Sequence, residues 1–104
     1  MGRDSLGEFE QLVLLACIRL GDEAYVVPIV QEIEERTGRR VTHGHVYVAL
    51  RRLEEKGLVT SRLGAATPER GGRPKRFFRV RPRARKLLEG ARDALHAMWR
   101  GLEA

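Results

Sequence analysis

Apolar positions in the first part of the chain keep helical time. Phe9, Leu12, Val13, Ala16, Cys17 and Leu20 recur at that spacing, and Leu14, Leu15 and Ile18 widen the stripe until little polar face remains. A helix this apolar is covered on more than one side. Its expected start is a capping box at Ser5-Leu6-Gly7-Glu8, and its expected stop is Gly21. Asp22-Glu23-Ala24-Tyr25 then reads as a connection. Val26, Ile29, Val30 and Ile33 form the stripe of a second helix, with Pro28 suited to a first turn, Glu32, Glu34 and Glu35 expected in water, and Gly38 as terminator. Thr42 is a good cap for a third helix, whose apolar residues Val46, Ala49, Leu50 and Leu53 occupy a narrow arc closed by Gly57.

After Gly57 the period shortens. Residues 58–63 read as one strand and residues 76–80 as its partner, rich in the β-branched and aromatic side chains that strands favour. Between them, Gly64 to Pro74 includes Pro68, Gly71 and Gly72, a composition that breaks regular structure and makes a long hairpin tip. Three helices followed by a hairpin is the order of a winged helix-turn-helix. Pro82 suits the first position of a last helix, in which Ala84, Leu88, Ala91, Leu95, Met98 and Leu102 repeat at intervals of four and three. That is a heptad seam, and a seam of this kind wants a partner helix. The predicted fold is therefore mainly α with a small β-hairpin. Leu88, Ala91, Leu95, Met98 and Leu102 are the expected dimerisation residues of a homodimer.

At 104 residues the chain supports one small core. Apolar residues at 42% and charged residues at 33% are the balance of a folded, water-facing protein. Its longest apolar run, Leu12 to Ile18, is far short of the roughly 20 residues that cross a bilayer. The first residues, Met1-Gly2-Arg3-Asp4, carry no secretory pattern, so no membrane partner and a cytoplasmic location are expected. Cys17, the single cysteine, is read as a small core hydrophobe. The net charge of +6 favours an anionic partner without naming one. Its distribution is more informative: residues 1–41 carry five basic and eight acidic side chains, and residues 42–104 carry fifteen basic and six acidic.

Two constellations could carry chemistry. On the third helix, steps of about 100° per residue leave Gly44, Val48, Arg51 and Glu55 outward, with His45, Tyr47 and Arg52 on the flanks. Arginine can pair with guanine O6 and N7, an aliphatic side chain can meet a thymine methyl, and Gly44 permits close approach of the helix N-terminus to a major groove. The plain alternative is a solvated helix face of Arg and Glu pairs. From Arg70 to Lys86 there are nine cationic side chains and no acidic one, straddling a Gly/Pro turn and an aromatic strand. Charges held on a hairpin suit phosphate contact, which releases condensed counterions. Together the two constellations point to double-stranded DNA.

Other chemistry finds little support. Gly71-Gly72-Arg73-Pro74-Lys75 lacks the spacing of a P-loop, and neither an HExxH nor a CxxC motif is present, so no catalytic residue and no cofactor is expected. His43 and His45 point about 200° apart on a helix, which makes them poor joint metal ligands; they are expected near a DNA backbone. His96 is read as polar surface, and Tyr25 and Tyr47 as packing residues with their hydroxyls near water. Trp99, beside the seam, is read as interface packing and as the candidate wall of a site for a planar hydrophobic effector. A competing reading makes the chain a heptad-driven interaction module whose basic hairpin binds RNA or an acidic protein.

The third-helix pattern Gly44-His45-Val46-Tyr47-Val48-Ala49-Leu50-Arg51-Arg52-Leu53-Glu54-Glu55-Lys56-Gly57-Leu58-Val59 and the strand entry Gly71-Gly72-Arg73-Pro74-Lys75-Arg76-Phe77-Phe78-Arg79-Val80, with Leu6-Gly7-Glu8-Phe9-Glu10 and Glu34-Glu35-Arg36-Thr37-Gly38, resemble the PadR-type transcriptional regulators over nearly the whole chain. The short last helix resembles their compact subfamily. The resemblance implies a homodimeric winged-helix repressor acting on a near-palindromic operator. Residues 1–81 would be the DNA-binding domain and residues 82–104 the dimerisation helix of the same compact unit, packing partly against the first helix. By position, Gly44, Tyr47 and Arg51 would lie at the DNA, Arg73, Lys75 and Arg76 would serve the wing, and Trp99 would line a ligand pore between protomers; His43, His45, Val48, Arg52 and Arg70 complete the expected DNA-binding set from the residue pattern itself.

Overall fold

The computed structural model describes residues 5–64 and 74–102. Four helices and one hairpin follow in the order α1 (Glu8–Leu20), a 3-10 turn (Gly21–Glu23), α2 (Val26–Thr37), α3 (His43–Glu55), β1 (Val59–Leu63), β2 (Arg76–Val80) and α4 (Pro82–Trp99). The strands pair antiparallel, with Val59 opposite Val80 and Ser61 opposite Phe78. The fold is thus mainly helical with a small hairpin.

One core is shared by every element. The apolar stripes of the three leading helices converge on it: Val13, Leu14 and Cys17 from α1, Ile29 and Ile33 from α2, and Val46, Leu50 and Leu53 from α3 are all buried. Leu58, Val59 and Phe78 extend it beneath the hairpin, and Ala84 and Leu88 bring in the start of α4. Burial pushes the Cys17 thiol up to about 12, so it stays protonated and inert. Phe78 donates its N–H to Ala24 O at 2.8 Å, which fastens β2 to the connection before α2.

The corner between α3 and β1 is a glycine-dependent turn. Gly57 takes φ +76°, its N–H donates to Glu54 O at 3.0 Å, and Leu58 N–H reaches back to Leu53 O at 2.9 Å. Leu58 therefore belongs to the corner and β1 begins one residue later than its sequence suggests. Its carbonyl accepts from Arg81 N–H at 2.9 Å, so the same residue also fixes the entry to α4. At the far end of β1, Gly64 donates to Lys75 O at 2.7 Å, and a Cβ added there would come within 2.6 Å of the Phe77 ring.

Three expectations need correction. The first helix starts at Glu8 with Gly7 as its cap: the Glu10 carboxylate accepts from Gly7 N–H at 3.1 Å and from Lys56 Nζ at 2.9 Å, a tertiary anchor that moves the start two residues past the Ser5 box. Glu32 and Glu34 are only partly in water. The Glu32 carboxylate lies between Arg36 and Arg19, whose hydrogen bonds hold it below the usual carboxylate range, and Glu34 accepts from Val41 N–H at 3.0 Å at the approach to α3. The last helix ends at Trp99, because Gly101 turns the chain at φ +90° and Leu102 N–H closes on Trp99 O at 2.8 Å. Leu102 thus stands off the helix that carries the rest of the seam.

Gly57→Ala is expected to destabilise the protein by about 1 kcal/mol or more, since alanine resists this backbone conformation. Urea unfolding at fixed protein concentration checks it: the midpoint should fall with the slope unchanged. An unaltered midpoint would show that the corner tolerates a Cβ.

Candidate nucleic-acid interface

The third helix buries one face and offers the other. Thr42 caps it, its Oγ1 accepting from His45 N–H at 3.0 Å, which sets the helical phase from the first turn. With Val46, Ala49, Leu50 and Leu53 inward, the residues His43, Gly44, His45, Tyr47, Val48, Arg51 and Arg52 all lie exposed. The outward set is continuous along the helix. His45 is the flank nearest α1, its ring centroid 5.9 Å from that of Phe9.

Arg51 is held rather than loose. Its Nη1 donates to Tyr47 Oη at 3.1 Å, and its guanidinium carbon sits 5.9 Å from the Tyr47 ring centroid. The hydrogen bond it donates to Tyr47 raises its pKa further, so this side chain carries a permanent charge on an aromatic shelf one turn back. A planar fork of donors in that setting is suited to the edge of a guanine.

The hairpin contributes a second row of cations, and each described one has a specific seat. Arg76 Nη1 donates to Ser61 Oγ at 3.0 Å, and Ser61 Oγ donates to Glu54 Oε2 at 2.7 Å, joining β2 to β1 and to α3. Lys75 Nζ lies 4.5 Å from the Tyr25 ring centroid and 3.4 Å from its hydroxyl. Tyr25 in turn meets Phe77 edge-on at 5.3 Å, and Arg62 stacks over Phe77 at 4.8 Å. Arg70 and Arg73 lie outside the described residues. Glu54, Ser61 and Arg62 escape the sequence reading because their partners lie on other elements of the fold.

The predicted seam divides in two. Leu88 is 6% exposed and packs in the chain's own core, Ala91 is half-buried, and Leu95 and Met98 are 58% and 76% exposed. Leu102 is exposed beyond the helix end. Alongside, α1, α2 and α4 line an open groove of about 480 Å³ whose lining includes Leu12, Leu15 and Ile18 together with Arg19, Arg36 and Arg85. Trp99 is not among the residues that line it; it stands 56% exposed on the last turn of α4. Among the described residues no group of three or more His, Cys, Asp or Glu side chains is placed to hold a metal, and no helix is long and apolar enough to cross a membrane.

A capped third helix with a polar outward face, flanked by a basic hairpin, defines a winged helix-turn-helix of the DNA-binding regulator class. The chain belongs to the transcriptional regulator PadR-like family, whose model matches residues 14–90. Its fold is similar to that of a PadR family transcriptional regulator from Eggerthella lenta, with TM-score 0.70 and 24% identity over 91% of this chain and 82% of that one. A PadR family regulator from Clostridium difficile superposes with TM-score 0.67 and 21% identity, covering 93% of this chain and 92% of its own. A transcriptional regulator from Thermoplasma acidophilum gives TM-score 0.70 at 18% identity over 88% and 86%. No curated protein matches the chain.

Proposed function

We propose that the protein is a cytoplasmic, non-enzymatic, sequence-specific DNA-binding repressor that acts as a homodimer on a near-palindromic operator. The observation that carries this reading is the Arg51 fork held by Tyr47 on the outward face of α3, beside the basic hairpin. In it, residues 1–81 engage DNA and residues 82–104 dimerise. Gly44, Val48 and Arg51 read the major groove, His43, His45, Tyr47 and Arg52 flank it, and Arg70, Arg73, Lys75 and Arg76 serve the backbone or minor groove. Two half-sites about 10 bp apart then follow from two-fold symmetry.

Base readers and backbone contacts separate by salt. Arg51→Ala should cost on the order of 1 to 3 kcal/mol on a selected duplex and relax its sequence preference, whereas Lys75→Ala should weaken selected and random duplexes alike and flatten the salt dependence by about one unit of slope. Titrations at several salt concentrations measure both. Equal losses on selected and random DNA from Arg51→Ala would remove it from base readout. Structured RNA that outcompetes duplex DNA would favour the interaction-module reading, since A-form RNA hides its major groove.

Dimerisation rests on the exposed half of α4 and on the apolar groove beside α1. A second copy that covers Leu95 and Met98 explains why large apolar side chains stand in water on a helix end. Leu95→Asp should give a monomer by sedimentation and lose operator affinity, while keeping the helical signal of the fold. A dimer that survives this charge would place the interface elsewhere.

A planar hydrophobic effector that releases DNA would sit against Trp99, in a pocket completed only by the second copy. Because Trp99 is the only tryptophan, its fluorescence reports that one place. Quenching by a planar aromatic dye, saturable in the dimer and lost in Leu95→Asp, is the expected result. Absence of quenching across a panel of such compounds would dismiss the pocket.

A further inference from the structure

One polar chain of contacts crosses between the third helix and the hairpin. Ser61 lies at the middle of β1, opposite Phe78, and its hydroxyl makes two bonds of opposite sense: it donates to Glu54 Oε2 at 2.7 Å and accepts from Arg76 Nη1 at 3.0 Å. The directions are forced, because a carboxylate only accepts and a guanidinium only donates. Glu54 follows Tyr47 and Arg51 at helical spacing, on one face of α3. Arg51 reaches back to Tyr47, and Glu54 stands one turn further along the same face. Glu54, Ser61 and Arg76 thus form one hydrogen-bonded link from α3 to the wing strand, starting on the helix face that carries the Tyr47–Arg51 pair.

Its far end is anchored. Phe78, two residues beyond Arg76 in the same strand, is buried in the core and bonded to Ala24 O. The backbone that carries Arg76 is therefore close to a fixed point, and Ser61 fixes the side chain as well.

We propose that Glu54 and Ser61 are positioning residues that hold the wing arginine, Arg76, against the Tyr47–Arg51 face of α3, so that helix and wing meet a duplex as one preformed surface. This rests on the reading of that surface as the DNA interface. Arg76 then loses its rotamer freedom on folding and not on binding, and two guanidinium forks stand at a set separation before DNA arrives. Base readout by Arg51 and backbone contact by Arg76 are in this way kept in register. A hydroxyl suits the middle position because it is small enough for a strand side chain and can donate and accept at once.

The test uses the full chain, a duplex selected by the wild-type protein from a random-sequence pool, and a scrambled duplex of the same composition at one stated salt concentration. Ser61→Ala is expected to lose about tenfold in affinity for the selected duplex, the scale set by freezing one arginine side chain, and less for the scrambled one. Ser61→Thr, which keeps the hydroxyl, should restore both values. In an Arg76→Ala background Ser61→Ala should cost nothing more, because Ser61 acts through Arg76. A purely structural role would instead lower the melting temperature and leave the ratio between the two duplexes unchanged. If Ser61→Ala itself folds poorly, Glu54→Gln carries the same comparison.

Wild-type discrimination retained by Ser61→Ala, or a full further loss in the Arg76→Ala background, overturns the positioning role and leaves the DNA reading intact. A wild-type protein that binds neither duplex overturns both.

Discussion

The third helix, the wing and the last helix are joined at the corner formed by Gly57 and Leu58. The last turn of α3 is closed by the amides of these two residues, and only a positive φ at Gly57 lets the chain leave the helix and enter β1 directly. Leu58 is buried, its N–H belongs to α3 and its carbonyl belongs to Arg81, the cap of α4. Arg83 adds a bond to Lys56 O at 3.2 Å. Helix, wing and last helix therefore share three consecutive residues as their common joint. A change in the angle of any one has to pass through a buried leucine whose two backbone groups are already committed.

The charge arrangement follows from the same economy of space. In the first part of the chain acids and bases meet each other: Glu10 with Lys56, Glu8 with Arg39, and Glu32 with both Arg19 and Arg36. These surface pairs act mainly on the field and little on stability. They cancel much of the charge on α1 and α2. The excess of positive charge then lies on the hairpin and the start of α4; on the hairpin Lys75, Arg62 and Arg76 rest on tyrosine, phenylalanine and a hydroxyl, whereas Arg79 pairs with Asp22 and Arg85 of α4 with Glu89. Such seats fix position while leaving the charge uncancelled, which is what an anion-binding surface requires.

The helices and the hairpin were legible because burial on one face imposes a period, and the buried sets of α2 and α3 are the ones the period gives. What escaped was decided by contacts across distance. Glu10 is an ordinary acidic residue until Lys56, at the other end of α3, makes it the anchor of the α1 start. Ser61 is an ordinary strand hydroxyl until α3 brings Glu54 beside it. No local pattern encodes either, since a single polar contact has no period. The seam of α4 is a different case: intervals of four and three mark an apolar stripe without saying what it packs on, and here Leu88 packs on the chain's own core while Leu95 and Met98 do not.

That division gives α4 a mechanical meaning. Its 18 residues extend about 27 Å, with Ala84 and Leu88 fixed in the core at one end and Leu95 and Met98 presented at the other. A rod clamped at one end transmits the orientation of whatever holds the other. The clamp is the Leu58–Arg81 bond, which is also the end of α3. A second copy seated on the exposed half would therefore set the distance and angle between two third helices through one rigid path, without a hinge on the way. Spacing of half-sites on DNA would then be decided by side chains that never approach it.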